Sequence, residues 1–185
     1  LPLERLQALS AHCGRQGLTM FMLLLAAFQA LLARYTGLED IVTGSPIAGR
    51  TRAETDRLIG FFLNTLALRT SLAGRPTFRE LCNRVRQVTL DAYANQDVPF
   101  ERLVEALAPP RDLGRTPLFQ IYFNMLNLPP PGEALPGITA RAWKITDDVA
   151  KFDLDLYAEE TTTGLDLQLF YNTDLFDGHQ TRALL

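Results

Sequence analysis

Histidine is the side chain that most often moves protons near neutral pH, and this chain has two, His12 and His179. Neither sits where its neighbours would make it a base. His12 falls among Leu3, Leu6, Leu9 and Cys13, whose spacing predicts an amphipathic helix over residues 2–14, and it reads as a helix-face residue. His179 falls in a terminal turn, where fraying is the rule. Ser45 lies in Thr43-Gly44-Ser45-Pro46-Ile47, which lacks the second glycine of a G-x-S-x-G elbow. Residues 44–49 have neither the Lys-Ser/Thr of a P-loop nor a G-x-G-x-x-G spacing. Asp153 and Asp155 share one strand face and would suit a metal or a carboxylate pair, but alternate acidic residues are usually a solvated face, and that reading is preferred. Cys13 and Cys82 belong to no C-x-x-C or Cys/His metal spacing and read as reduced, buried thiols. No catalytic residue and no metal ligand is assigned.

Other residues stand out because their polarity conflicts with their surroundings. Asn64 and Thr65 close the apolar run Ile59-Gly60-Phe61-Phe62-Leu63, where a polar group needs a partner or a cavity. Arg111 and Arg115 immediately precede an apolar strand, a setting in which arginine usually pairs with a carboxylate.

The elements that would position these residues are mixed. Residues 18–33 are apolar except for Thr19 and Gln29, fewer than the ~20 residues of a membrane span, and predict a core helix capped by Thr19 and stopped by Gly37. Strands are expected at 40–44, before a turn at Ser45-Pro46, and at 62–70, with a polar loop and a short helix between. Thr77-Phe78-Arg79-Glu80 is a capping box that opens a helix to Asn95, and Asp97 and Pro99 open another that ends at Pro109-Pro110. Strands follow at 119–125, 139–145, 152–158 and 165–171, the last three of antiparallel type with a turn at 161–164. The fold class is α/β in the layered α+β sense, a mixed sheet flanked by helices.

At 185 residues, 47% hydrophobic and 21% charged, the chain can bury a core and is neither a disordered tail nor a disulfide scaffold. A net charge of -3 and scattered basic residues, of which only Lys144 and Lys151 are lysines, argue against nucleic acid as a partner. Residues 1–5 have no basic n-region or cleavage site, and Asp177 caps a helix that stops at Leu185. The chain is therefore expected to belong to a longer cytoplasmic polypeptide with no membrane partner.

Three ordered segments resemble the condensation domain of nonribosomal peptide synthetases, specifically its C-terminal lobe. Ile59-Gly60-Phe61-Phe62-Leu63-Asn64-Thr65 is similar to I-G-x-F-V-N-T, Asn95-Gln96-Asp97-Val98-Pro99-Phe100-Glu101 to [HN]-Q-D-x-P-F-E, and residues 111–118 to R-D-x-S-R-N-P-L. Departures are Leu63 for Val, Gly114 for Ser and Thr116 for Asn. Residues 44–50, 151–154 and 171–176 resemble further stretches of the family. The resemblance covers nearly all of the chain and about half of the family's domain. It implies a chloramphenicol acetyltransferase-like lobe forming one wall of a tunnel, in which a carrier-bound amine attacks a carrier-bound acyl or peptidyl thioester. The implied partners are the N-terminal lobe and the donor and acceptor peptidyl carrier domains. Phosphopantetheine arms would come from those carriers, with no cofactor bound directly.

The family's H-H-x-x-x-D-G motif is absent from this sequence. By resemblance, Asn64 and Thr65 face the tunnel, while Arg111, Arg115, Gln96 and Asp97 are structural or inter-lobe residues. Arg115 is favoured over Arg111 as the brace that pairs with the motif's Asp. The chain alone is then expected to be inactive. A carrier-binding or recruitment module without catalysis and a lobe of an epimerisation domain are the alternatives.

Overall fold

Residues 18–33 decide the architecture, because a helix this apolar must be covered on several sides. The computed structural model describes residues 1–50, 52–55, 57–110, 112, 114–126 and 149–184, and in it this stretch forms α2 (Met20–Thr36). Thr19 caps it by accepting the Met22 N–H at 3.2 Å, and Gly37 ends it in the left-handed region at φ 75°. Cover comes from α1 (Leu3–Gln16), from α3 (Phe78–Ala94) and from a five-stranded sheet. The strands are β1 (Asp40–Ile47), β2 (Asn64–Ser71), β3 (Ile121–Leu126), β4 (Leu154–Thr161) and β5 (Gly164–Tyr171).

The sheet order is β2-β1-β3-β4-β5. β1 pairs with β2 and β4 with β5 in antiparallel fashion, whereas β1–β3 and β3–β4 are parallel. The β1–β3 seam is held at a single register pair, Gly44 with Tyr122.

Strand periodicity gives the sheet two unlike faces. One carries Leu66, Leu68, Thr43, Ser45, Phe123, Leu156 and Ala158, all buried against the helices. Phe123 meets Phe21 and Phe28 of α2 at ring distances of 5.3 and 6.2 Å. Gln29 of α2 donates to Thr43 Oγ1 and to the Leu68 carbonyl, both at 3.3 Å, so the one amide in the apolar helix is tied to the sheet. The other face carries Thr65, Pro46, Tyr122, Asn124, Asp155, Tyr157, Gln168 and Phe170. On that side Phe100, the first residue of α4 (Phe100–Leu107), reaches Phe119 at 5.5 Å.

Several sequence expectations shift for identifiable reasons. β1 runs through Ser45 and Pro46 to Ile47 instead of turning, because Ser45 is buried on the helix side and the antiparallel ladder to β2 continues past it. β2 begins at Asn64, leaving Phe61 and Leu63 exposed ahead of it. Between the two strands the helix is only a 3-10 turn, Ala53–Thr55. The capping box at Thr77 and Glu80 forms as expected. Pro99, not Asp97, stands at the cap of α4 and offers no side-chain cap. β4 is antiparallel to β5, as expected of that pair, and parallel to β3, which makes the sheet mixed as expected. The strand expected at 139–145 lies outside the described residues. Asp177 caps a short α5 (Gly178–Arg182) through two backbone N–H groups at 2.8 Å. Among the described residues no single helix is long and apolar enough to cross a membrane; α1 and α2 would reach that length only as a pair bent by 100°.

Gly44 is a tight point of the sheet. A β-carbon there would lie 2.1 Å from the Phe119 ring, so that ring rests directly on the backbone of β1. Gly44→Ala is expected to destabilise the chain by about 1–3 kcal/mol through overpacking. Urea unfolding checks this: an unchanged midpoint would mean that Phe119 is not seated there.

Candidate functional site

Asn64 begins β2, and its side chain is wholly engaged by backbone. Its Nδ2 donates to the carbonyls of Gln96 at 2.8 Å and Val98 at 2.7 Å. Its Oδ1 accepts the N–H of Thr65 at 2.9 Å and of Phe100 at 3.1 Å. A primary amide has two donor hydrogens and two acceptor lone pairs, so nothing is left over for a ligand. Strand periodicity suggests a polar side chain inside an apolar strand; the side chain instead stands at the strand's entry and staples the loop 96–100 to it. Gln96 adds a donation to the Tyr93 carbonyl at 2.9 Å, and Asp97 is exposed.

The staple fixes Phe100, and from Phe100 a chain of rings runs across the far face of the sheet. Phe119 contacts Phe100, Phe152 at 5.4 Å and Tyr122 at 6.4 Å, and Tyr122 stacks on Phe152 at 4.7 Å. Each of the three motif segments thus ends in, or leads to, one aromatic cluster: Asn64 through its bonds, Phe100 and Phe119 through their rings. Stacked and tilted aromatic pairs of this kind add about 0.5–1.5 kcal/mol each beyond area burial. The approach to Phe119 is sharp, with Leu118 at φ 69°, and Thr116 Oγ1 donates to the Phe119 carbonyl to close the turn. Sequence reasoning missed these aromatics; the signal was Phe100 within the second motif and Phe119 immediately after the third.

Thr65 lies beside the Tyr122 phenol, whose acidity is weakened strongly by burial and further by Tyr157 and Asp155. Arg115 is exposed and sits 3.9 Å from Asp112, a loose pair. It lines a groove of about 870 Å³ between α4 and the segment leading to β3, together with Glu101, Val104, Glu105 and Pro117. Asn64 and Thr65 do not line that groove, so the structure divides the sequence-selected residues between two places. Arg111 lies outside the described residues. Both histidines are exposed, and Ser45 is buried against the helices. Cys13 and Cys82 are free and buried, and burial raises the pKa of each thiol. Among the described residues no group of three or more His, Cys, Asp or Glu could hold a metal ion.

Asp155 departs most from its expected setting. Alternation with Asp153 points to a solvated acidic face, yet this carboxyl is 1% exposed, which corrects that expectation. Its Oδ2 accepts the N–H of Lys151 at 2.9 Å and of Phe152 at 3.4 Å, which holds the loop that presents the Phe152 ring. Among the described residues its Oδ1 has no partner. Burial raises its pKa, and the two backbone N–H groups only partly oppose that.

Two outcomes follow from this geometry. Asn64→Ala leaves two carbonyls and two N–H groups without their partner in a half-buried setting, and a loss of about 2 kcal/mol is expected. Chemical denaturation checks the loss, and a drop under about 0.5 kcal/mol would mean the staple is dispensable. For Asp155 the folded pKa exceeds the unfolded one, so the native state holds the proton more tightly. The group's destabilising contribution is therefore full above the folded pKa, falls as pH drops through it, and vanishes below the unfolded carboxylate value of about 3.9. Asp155→Asn keeps an acceptor for the two N–H groups and removes the charge. Its melting temperature at pH 7 is expected to equal or exceed the parent's, with the advantage shrinking toward pH 4. A variant less stable at pH 7 than at pH 4, relative to parent, would contradict the sign.

Comparison with known proteins agrees with the motifs. The family model described as "Condensation domain" matches residues 2–185. A linear gramicidin synthase of Brevibacillus parabrevis is 52% identical over 179 residues, which is 96% of this chain and 2% of that protein. Among solved structures, the X-domain in its complex with OxyB from teicoplanin biosynthesis superposes with a TM-score of 0.86 at 28% identity, covering 100% of this chain and 41% of that one. A four-domain nonribosomal peptide synthetase bound to AMP and glycine superposes at 0.80 with 27% identity, covering 90% of this chain and 14% of that one. The chain thus spans a small fraction of the curated relative and under half of the X-domain chain. Three motifs meeting at one aromatic cluster, the mixed five-stranded sheet and the match from residue 2 to residue 185 lead to one assignment: this chain belongs to the condensation domain family of nonribosomal peptide synthetases.

Proposed function

We propose that this chain is the C-terminal lobe of a condensation domain that forms an amide bond between two carrier-bound substrates. The amine of the acceptor attacks the carbonyl carbon of the donor thioester, the C–N bond forms, the C–S bond breaks, and the donor carrier's thiol leaves with a proton. One observation carries this reading: the family match runs from residue 2 to residue 185, yet the sequence has no H-H-x-x-x-D-G and neither histidine is placed to act as a base.

In this reading the lobe contributes position, not proton transfer. Both reactants must be held close in a dry passage, and orientation of that kind is worth several kcal/mol. The sheet face turned away from α2, with Thr65, Tyr122 and Tyr157, is the wall it offers. Arg115 is the inter-lobe brace: its loose 3.9 Å contact with Asp112 leaves the guanidinium available for a carboxylate on the N-terminal lobe. Asn64, Gln96 and Asp97 act through the staple and the loop it holds. The partners are that lobe and two peptidyl carrier domains with their phosphopantetheine arms, in the cytoplasm and away from membranes.

Likeness to the X-domain solved in complex with OxyB favours a second reading, a module that recruits another protein without condensing. Mixing donor- and acceptor-loaded carriers with the chain alone, and with the domain that includes the residues preceding it in its native polypeptide, separates the two. Amide product is expected only from the longer protein. Product from the chain alone would overturn the half-enzyme reading. Carrier binding without product from the longer protein would favour recruitment.

A further inference from the structure

Leu1 forms the first rung of a ladder on the outer edge of β5. Its amino group donates to the Leu165 carbonyl at 2.7 Å, and the Leu165 N–H donates back to the Leu1 carbonyl at 2.9 Å. Two residues that exchange both bonds are the hydrogen-bonded pair of an antiparallel ladder, and Pro2 opposite Gly164 keeps the register for one more step before α1 begins. β5 is the last strand of the sheet, and its inner edge is laddered to β4 along its whole length. Past Leu165, no backbone bond among the described residues reaches the outer edge.

Alternation fixes what that edge offers. Leu165 turns its N–H outward, so Leu167, Leu169 and Tyr171 do the same, whereas Asp166, Gln168 and Phe170 turn theirs toward β4. An open row of this kind is a template for an added strand. Burial follows the same division: Leu165, opposite Leu1, is 0% exposed, while Leu167 and Leu169 are half-buried. Those two leucines line an apolar groove of about 150 Å³ with Leu24, Phe28 and Leu31 of α2. The Leu1–Leu165 pair also sets direction and register. Each step back from Leu1 meets one step forward from Leu165, so the residue that faces Tyr171 is the sixth before Leu1.

We propose that the outer edge of β5 receives, as a sixth antiparallel strand, the residues that precede Leu1 in the native polypeptide, tying the preceding lobe to this sheet. The proposal rests on the half-domain reading, which supplies that preceding chain. The strand enters beside Leu154, the partner of Tyr171, and so comes from the end of the sheet where Phe152 stands. Its second and fourth residues before Leu1 flank Leu167 and Leu169 over the groove and are expected to be apolar.

Hydrogen exchange, read amide by amide, tests this in the 185-residue chain and in the complete domain within its native polypeptide. The Leu167, Leu169 and Tyr171 amides are expected to exchange about 10-fold or more slowly in the longer protein, relative to Gln168 and Phe170, whose inward N–H groups correct for any change in global stability. An equal outer-to-inner ratio in the two proteins overturns the proposal. Proline in place of the second residue before Leu1 removes the N–H that faces the Leu167 carbonyl and is expected to return Leu167 and Leu169 to fast exchange. Unchanged protection in that variant also overturns it. Protection of the chain alone that rises with its concentration gives the edge to a second copy, against the proposal. Amide synthesis by the longer protein is read separately: protection without product keeps the strand and counts against condensation, and product without protection does the reverse.

Discussion

Saturation of the Asn64 amide is the constraint around which this chain is organised. A half-buried primary amide has four hydrogen-bonding positions to satisfy, and here all four partners are main-chain groups, one in β2 and three in the loop that enters α4. Because main-chain partners cannot change rotamer, the loop has one position relative to the strand. Phe100 follows from that position, Phe119 from Phe100, and the closeness of Phe119 to β1 from the missing side chain at Gly44. Two short polar motifs and an aromatic cluster thus reduce to one geometric requirement.

The sheet divides its labour by face. Toward the helices it is mostly apolar, with Thr43, Ser45 and Thr70 as small buried polar residues and Gln29 of α2 donating to Thr43 and Leu68. Away from them it carries tyrosines, amides and one buried acid, Asp155, whose Oδ1 has no partner among the described residues. Sealed apolar surface supplies the stability that allows the opposite surface to remain polar, a common arrangement where a scaffold must also meet a ligand.

Much of the fold was legible in the sequence because local chemistry and tertiary placement agreed. Thr19 and Gly37 bound α2, the capping box at Thr77 opens α3, and alternation at 119–125 marks β3, since each depends on neighbours within a few residues. What was not legible depends on distant chain. The parallel sense of β3 and β4 is invisible to periodicity, which reports the spacing of side chains and not strand direction. Asp155 reads as solvated because two acids alternate; its burial is set by the loop at 151–153 folding back over it. Asn64 stands out in the sequence as a polar residue in need of a partner, but the identity of that partner, a loop more than 30 positions away, required the fold.

The seam between β1 and β3 has a mechanical consequence. With one register pair joining them, and with Pro46 offering no N–H just beyond it, the sheet is two ribbons, β2–β1 and β3–β4–β5, each internally laddered and meeting along a nearly unbonded line. Cohesion across that line comes from α2 beneath and the Phe119 ring above. Prying the ribbons apart therefore breaks few hydrogen bonds but shears the contact of the Phe119 ring with β1, so the compliance of the sheet is set by ring packing, and its softest direction is the one that spreads the two ribbons.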